Sequence, residues 1–223
     1  MKRIAYPLLA TILILAALWC AGCDWLKETV NEQTKETQNI DIDLTPDWVP
    51  LAAVKVGGQE LTAVCFTDPT SIDSIIAVTD YADLWESIRD HMSEVNIKEF
   101  TYKLKDNHAT SAGEMLLYVV EGNIPSAIQN WPGMPMVFVD PNKLSSDDRI
   151  ASVPIQPGAN VSDWTAVNWE GDGQARLEEL LLQHDQAFRY CIDLNIAPIS
   201  GSVEPTVKVM LHLNADIVFV PLD

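Results

Sequence analysis

Basic residues are scarce in this sequence. The 223 residues include 14 Lys and Arg against 32 Asp and Glu, and the formal net charge is −18 at pH 7. Two of the 14, Lys2 and Arg3, lie in the N-terminal segment, so a chain beginning at Cys23 keeps 12 of them and carries a charge of −20. An acidic surface repels phosphates, which argues against nucleic acid or anionic lipid headgroups as partners. The charge is typical of a solvated surface and is compatible with divalent cations.

Motifs of known catalytic chemistry are absent as well. The sequence has no Gly-x-Ser-x-Gly elbow, Walker loop, Gly-x-Gly-x-x-Gly or His-Glu-x-x-His. The four histidines are isolated in sequence, with no second ligand at a spacing typical of zinc sites. Among 32 acidic residues, no pair is singled out as a catalytic pair by its position. We therefore expect a protein that is not an enzyme.

The N-terminus is the most informative part of the sequence. Lys2 and Arg3 precede an apolar run of 19 residues from Ile4 to Gly22, interrupted only by Thr11. A positive start, an apolar stretch and a small-residue exit are typical of a secretory signal peptide. The run is also just long enough to span a bilayer, so an uncleaved membrane anchor is the alternative.

The end of this run, Cys20-Ala21-Gly22-Cys23, resembles the lipobox of bacterial lipoproteins, whose usual form is Leu-Ala-Gly-Cys. Ala21, Gly22 and Cys23 match, and Cys20 stands where Leu is usual. The resemblance implies cleavage after residue 22 and acylation of Cys23, and several acyl chains at one site provide stable anchoring. Both the lipoprotein and the uncleaved anchor place the following domain outside the cytoplasmic membrane.

We therefore expect a signal peptide over 1–22, a tether over 23–47 and a single globular domain over 48–223. The tether is expected because few residues of this segment are large and apolar. The expected location is the cell envelope, on the outer face of the cytoplasmic membrane or in the periplasm. The outer membrane remains an alternative.

Alternating apolar residues predict the fold of that domain. Period-two alternation is clear in the sequence segments 96–106 and 206–221, and Gly57-Gly58 is typical of a hairpin turn. Helical spacing appears in 80–95 and in 172–186. Strands in which apolar and polar residues alternate are typical of antiparallel sheets with one face exposed to solvent. The sequence thus predicts a mainly β (α+β) domain, an antiparallel β-sandwich or curved sheet with two amphipathic helices.

Two cysteines remain beyond the N-terminus, Cys65 and Cys191. Both lie in expected strands, on the face opposite the large apolar residues. An even pair in an exported chain permits one disulfide, and two unpaired buried thiols are the alternative.

The segment 168–179 resembles a metal-binding loop more than any other part of the sequence. Its Asn168, Glu170, Asp172 and Glu179 occupy positions 1, 3, 5 and 12 of a loop that resembles an EF-hand in part. Position 1 is Asn where Asp is expected, and no helix is predicted before it. The alternative is that Asp172 caps a helix beginning near Gly173. No cofactor is expected other than calcium at this segment.

Three tryptophans, Trp131, Trp164 and Trp169, fall in segments without clear periodicity. Exposed aromatics on loops stack on sugar rings and often mark binding surfaces, but tryptophans also pin loops to a core.

The first functional hypothesis is a membrane-anchored, non-catalytic binding or accessory module for an envelope protein. Glycan or cell-wall binding through these tryptophans is the alternative, and calcium binding is the third.

Replacing Cys23 by Ser is expected to abolish incorporation of labelled palmitate and to leave residues 1–22 attached, because the thiol is the acylated group. Gel labelling and intact mass in the native host measure both effects. Cys20→Ser is the matched control and should keep the label. An unlabelled wild-type chain that retains residues 1–22 would establish the uncleaved anchor instead.

Overall fold

The computed structural model describes residues 35–45, 47–201 and 203–221. The signal peptide, Cys20, Cys23 and the first part of the expected tether lie outside these residues. Three helices are present in the described part: α1 (Ile72–Ile76), α2 (Ala82–Ile88) and α3 (Gly173–Leu182). None of them has the length and continuous hydropathy needed to cross a bilayer.

Strands dominate the described residues. They are β1 (Glu36–Asp43), β2 (Val49–Leu51), β3 (Val54–Val56), β4 (Gln59–Leu61), β5 (Ala63–Phe66), β6 (Met92–Lys105), β7 (Gly113–Glu121), β8 (Ala127–Asn130), β9 (Met136–Val139), β10 (Arg149–Ile155), β11 (Val161–Ala166), β12 (Asn168–Trp169), β13 (Phe188–Asn195), β14 (Ile199–Ser200) and β15 (Val207–Phe219). Short 3₁₀ turns occur at Arg89–His91, Pro141–Lys143 and Ser146–Asp148.

The strands form two main sheets. Sheet I has the order β1-β15-β6-β11, with β2 also paired to β15, and sheet II has the order β12-β10-β7-β13-β5-β9-β8. A small third sheet, β14-β3-β4, contains the expected hairpin, in which Gly57 and Gly58 both have positive φ. All pairings within sheets I and II are antiparallel. The predicted fold class, mainly β with antiparallel curved sheets and two helices of seven residues or more, is confirmed.

Sheets I and II share one hydrophobic core. Alternate residues of β1, β15 and β6 meet alternate residues of β7, β13 and β5 in this core. Helix α3 packs across β6 and β10 and so closes one side of the sandwich. Its buried residues are Gly173 and three leucines at helical spacing, Leu177, Leu180 and Leu181.

The N-terminal boundary differs from the expectation. The prediction of a tether over 23–47 is wrong for Glu36–Asp43, because these residues form β1 and pair with β15 along their whole length. Ile40 and Ile42 are buried, while Asn39 and Asp41 point to the other face of sheet I. The strand has a polar outer face, which made its sequence resemble a linker.

Sheet II is apolar on both faces. Its outer face carries a second, smaller cluster that includes Leu116, Tyr118 and Val137. Cys65 and Cys191 lie in this cluster as directly paired residues of β5 and β13, and their sulfur atoms are bonded at 2.00 Å. The bond closes a loop of 126 residues, for which the chain-entropy account gives a stabilisation of about 4–5 kcal/mol.

Gly173 permits the closest approach of α3 to sheet II. A Cβ atom at this position would lie 2.0 Å from the carbonyl oxygen of Ile150, which belongs to the backbone of β10. Gly173→Ala is therefore expected to lower the free energy of unfolding by about 1–3 kcal/mol, although Ala is the better helix former by about 1 kcal/mol. Urea unfolding measures the change.

The matched control is Ala175→Gly on the exposed side of the same helix, which should cost about 1 kcal/mol through helix propensity alone. A Gly173→Ala variant as stable as the wild type would contradict the close approach of α3 and β10.

Candidate functional site

An open cleft of about 750 Å³ lies between three segments of the chain. The first wall is formed by 41–45 and 47–50, between the end of β1 and β2. The second is the segment 68–81, which contains α1 and the turn that follows it. The third is the turn 134–136 before β9. The cleft has the size of a ligand site, since such sites span about 300–1,000 Å³.

Backbone hydrogen bonds attach each wall to a sheet. The amide of Leu44 donates to the carbonyl of Leu211 on β15 at 3.0 Å. Thr70 exchanges two hydrogen bonds of 2.8 Å with Phe188 on β13. The amide of Thr67 donates to the carbonyl of Pro135 at 2.9 Å. The three walls are therefore fixed before any ligand binds.

Apolar side chains form most of the cleft surface. Phe66, Met136 and Tyr190 contribute from sheet II. Val78 is 80% exposed at the turn after α1, and Met134 is 37% exposed at the third wall. These two are half of the four strongly exposed large apolar side chains in the described residues. Clustered apolar exposure of this kind marks a surface that contacts something else.

Tyr190 has an unusual position in this cleft. Its ring lines the cleft, while its hydroxyl oxygen is buried and has no hydrogen-bond partner among the described residues. Burial raises the pKa of the Tyr190 hydroxyl far above its usual value, so the group is neutral. Because Tyr190 is neutral, the charge at the cleft comes from the carboxylates of its rim.

The rim of the cleft is acidic. Its carboxylates come from the first and second walls: Asp41, Asp43, Asp47, Asp68 and Asp80. No Lys, Arg or His is among the described residues that line it. The nearby cation Lys105 lies over the ring of Trp48, with Nζ 4.2 Å from the ring centroid.

The five rim carboxylates fall into two groups. Asp41 and Asp43 bind the imidazole of His212, at 2.5 Å to Nε2 and 2.9 Å to Nδ1. The other three are exposed and form no ion pair with any described residue: Asp47, Asp68 and Asp80. Three unneutralised carboxylates therefore surround an apolar surface.

The three tryptophans predicted as a ligand surface do not lie together. Trp131 is 5% exposed and stacks on Phe138 at a ring distance of 5.1 Å. Trp169 is half-buried in β12 and packs on Phe100 at 5.3 Å. The expectation of irregular segments is wrong for Trp164 and Trp169, which belong to β11 and β12.

Trp164 is the exposed member, at 38%. It lies on the outer face of sheet I, where its ring contacts the imidazole of His212 at 4.8 Å and the ammonium of Lys103 at 4.4 Å. Because these two side chains already contact the ring, less of it is available for stacking on a sugar.

The structure does not gather the predicted calcium ligands. Glu170 forms an ion pair with Arg149 at 3.4 Å, and Asn168 is an exposed residue of β12. Asp172 and Glu179 line a shallow depression together with the guanidinium of Arg176, a cation that disfavours a metal ion. The described residues contain no group of three or more His, Cys, Asp or Glu suited to a metal.

The alternative interpretation, that Asp172 caps α3, is correct for the position of the residue but not for a capping hydrogen bond. The residue precedes α3 as its N-cap, but its side chain makes no capping hydrogen bond.

A polar cluster around Asp73 joins α1, α2 and the turn that follows α3. Asp73 accepts hydrogen bonds from Trp85 Nε1 at 2.7 Å, from Arg89 at 3.1 Å and from His184 Nδ1 at 3.0 Å. Burial raises the pKa of Asp73, but these hydrogen bonds and the charges of His184 and Arg89 outweigh burial and hold the pKa below its usual value. Nε2 of His184 faces Asp90 at 3.6 Å.

No Ser, Thr or Cys of the described residues is hydrogen-bonded to this imidazole, so the cluster lacks the nucleophile of a catalytic triad. The cluster connects α1, α2 and the end of α3, and in doing so it supports the second wall of the cleft.

Sequence comparison identifies no relative: no family model and no curated protein matches the chain. Weak matches among solved structures include viral capsid proteins and virus particles. One is the cryo-EM structure of a semi-empty virus-like particle of the nodavirus of the giant freshwater prawn Macrobrachium rosenbergii (10% identity, TM-score 0.40, 85% of this chain and 96% of that chain covered). Another is the BFDV capsid protein (8%, 0.34, 85% and 97%). Similarity at this level carries no argument about family or activity.

The tryptophans provide a matched pair for a stability test. Trp131→Ala is expected to lower the free energy of unfolding by about 3–5 kcal/mol, because it removes a buried ring from the core. Trp164→Ala should cost about 1 kcal/mol or less, since it removes one exposed ring and its contact with a cation. Urea unfolding of both variants measures the difference. Equal losses would contradict the burial of Trp131.

Proposed function

We propose that this protein is a lipid-anchored component of a bacterial cell envelope, whose domain is a non-catalytic binding or accessory module for an envelope protein. The cleft bordered by 41–45 and 47–50, 68–81 and 134–136 is its binding surface. The observation that carries the proposal is the exposure of Val78 and Met134 on walls that are fixed by hydrogen bonds to the sheets.

The fixed walls suit a preformed binding surface. A preformed surface loses little conformational entropy when a partner docks, which makes binding energy available for affinity. The histidine–carboxylate cluster of Asp73 and His184 is engaged in holding α1 to α2 and to the turn that follows α3. The lipobox-like sequence ending at Cys23 supports the anchored location.

The second functional hypothesis, glycan binding, loses two of its three residues in the structure. Trp131 is buried and Trp169 is half-buried, so a sugar-stacking surface would depend on Trp164 alone. The cleft is the larger apolar surface, and the protein partner is therefore the preferred ligand.

Site-specific photo-cross-linking in the native host tests the proposal. A photoreactive aromatic residue is introduced at Val78 or at Met134 of the full-length protein. Both positions are expected to yield the same adduct with one envelope protein, because both lie on the same cleft. Glu114 is the control position, since it is exposed and lies outside the cleft. Identical adducts at all three positions, or none at the two cleft positions, would contradict the proposed binding surface.

A further inference from the structure

We propose that the cleft accepts an amphipathic cationic segment of the partner protein. The segment places apolar side chains between the three walls and Lys or Arg side chains at the acidic rim. This inference rests on the proposed function and adds to it the chemistry of the partner.

The apolar requirement follows from the cleft surface. Val78 is 80% exposed, yet the turn that presents it is well ordered by hydrogen bonds: Thr79 Oγ1 donates to the carbonyl of Ile76 at 2.8 Å and accepts from the amide of Tyr81 at 3.2 Å. An apolar side chain held in water by a fixed turn gains free energy when a partner covers it. Met134, on the opposite wall, is well suited to an apolar partner because its thioether adapts to irregular shapes.

The cationic requirement follows from the rim. Asp47 lies on the first wall, and Asp68 and Asp80 lie at the two ends of the second wall, so their charges border the apolar surface on two sides. None of the three forms an ion pair with a described cation, so a Lys or Arg of the partner can pair with each of them without displacing a described side chain. The surrounding net charge of the chain, −18, strengthens the attraction and speeds the encounter.

Other occupants fit less well. Nucleic acid and anionic headgroups are repelled by the rim. A polyamine would neutralise the carboxylates but has no bulky side chain to cover Val78 and Met134. A peptide segment with alternating or helically spaced apolar and basic residues satisfies both parts of the surface, in the manner of other groove-binding peptides.

The test uses the full-length protein in a non-ionic detergent, with three short fluorescent peptides of equal length as probes. In the first peptide Leu alternates with Lys, in the second Leu alternates with Glu, and in the third Ser alternates with Lys. Fluorescence anisotropy is recorded at low and at high ionic strength, with spermine as a competitor and protein-free micelles as the blank. The Leu/Lys peptide should bind, and more weakly at high salt, because exposed charges are screened.

Two triple variants with the same change of charge decide whether the cleft is responsible. Asp47→Asn, Asp68→Asn and Asp80→Asn together remove the unpaired rim charges without changing the size of the side chains. We expect them to weaken Leu/Lys binding on the order of tenfold, as the sum of three exposed ion pairs.

The control combines changes at three exposed acidic residues outside the cleft: Glu99→Gln, Glu114→Gln and Asp163→Asn. It should leave the affinity unchanged. Val78→Ser should weaken the Leu/Lys peptide and leave the Ser/Lys peptide unaffected. Unfolding curves of all variants should coincide with that of the wild type, since every altered side chain is exposed.

Each contrary result has a distinct meaning. Equal weakening by the two triple variants would show attraction to net charge alone and would overturn the inference. Equal binding of the Leu/Glu peptide, or full displacement by spermine, would overturn the cationic peptide as occupant. These outcomes leave the proposed function intact if Val78 and Met134 still cross-link to an envelope protein, whereas loss of that cross-link defeats the proposed function itself.

Discussion

The pairing of β6 with β15 is the interaction on which the rest of the structure depends. These are the two longest strands, and they are antiparallel neighbours from Met92 against Phe219 to Lys105 against Lys208. β15 carries β1 and β2 on its other edge, and β6 carries β11 and the helix α3. The inner faces of both strands form one side of the core. Because the two strands are far apart in sequence, this pairing closes the chain on itself.

The first wall of the cleft follows from that pairing. Leu44 and Thr45 are bound to Leu211, and the buried hydroxyl of Thr206 accepts a hydrogen bond from the amide of Ala53 at 2.9 Å. The other two walls are bound to sheet II, in which the disulfide joins β5 to β13. The cleft thus lies where segments from both sheets meet. A surface built in this way is rigid, which is what a preformed binding site requires.

Period-two alternation was a reliable guide to the long strands, because each has one face in the core and the other in water. The helix α3 and the hairpin at Gly57 and Gly58 were predicted for equally local reasons. The strand β1 was missed because its outer residues are polar, although Ile40 and Ile42 alternate correctly. The helix predicted over 80–95 corresponds to α2 and ends earlier than its pattern, at Ile88, because the chain from Met92 onwards pairs with β15 as the strand β6.

The cleft was beyond the reach of sequence analysis. Its walls are separated by many residues, and the side chains that define it, such as Val78 and Met134, look like ordinary loop residues in the sequence. The one local signal was the run of carboxylates at Asp41, Asp43 and Asp47, which lie at the rim. Likewise Trp131 looks like a loop tryptophan, and only its stacking on Phe138 shows that it anchors the turn that ends in Met134.

Oxidative footprinting of the native envelope tests most directly whether the cleft is covered by a partner. Met134 and Trp164 are exposed to a similar degree, 37% and 38%, and both side chains are readily oxidised, but only Met134 lies in the cleft. Hydroxyl-radical labelling of intact cells and of the purified full-length protein compares the two sites. We predict that Met134 is protected in cells and oxidised in the purified protein, while Trp164 is oxidised equally in both. Equal oxidation of Met134 in both preparations would contradict a covered cleft.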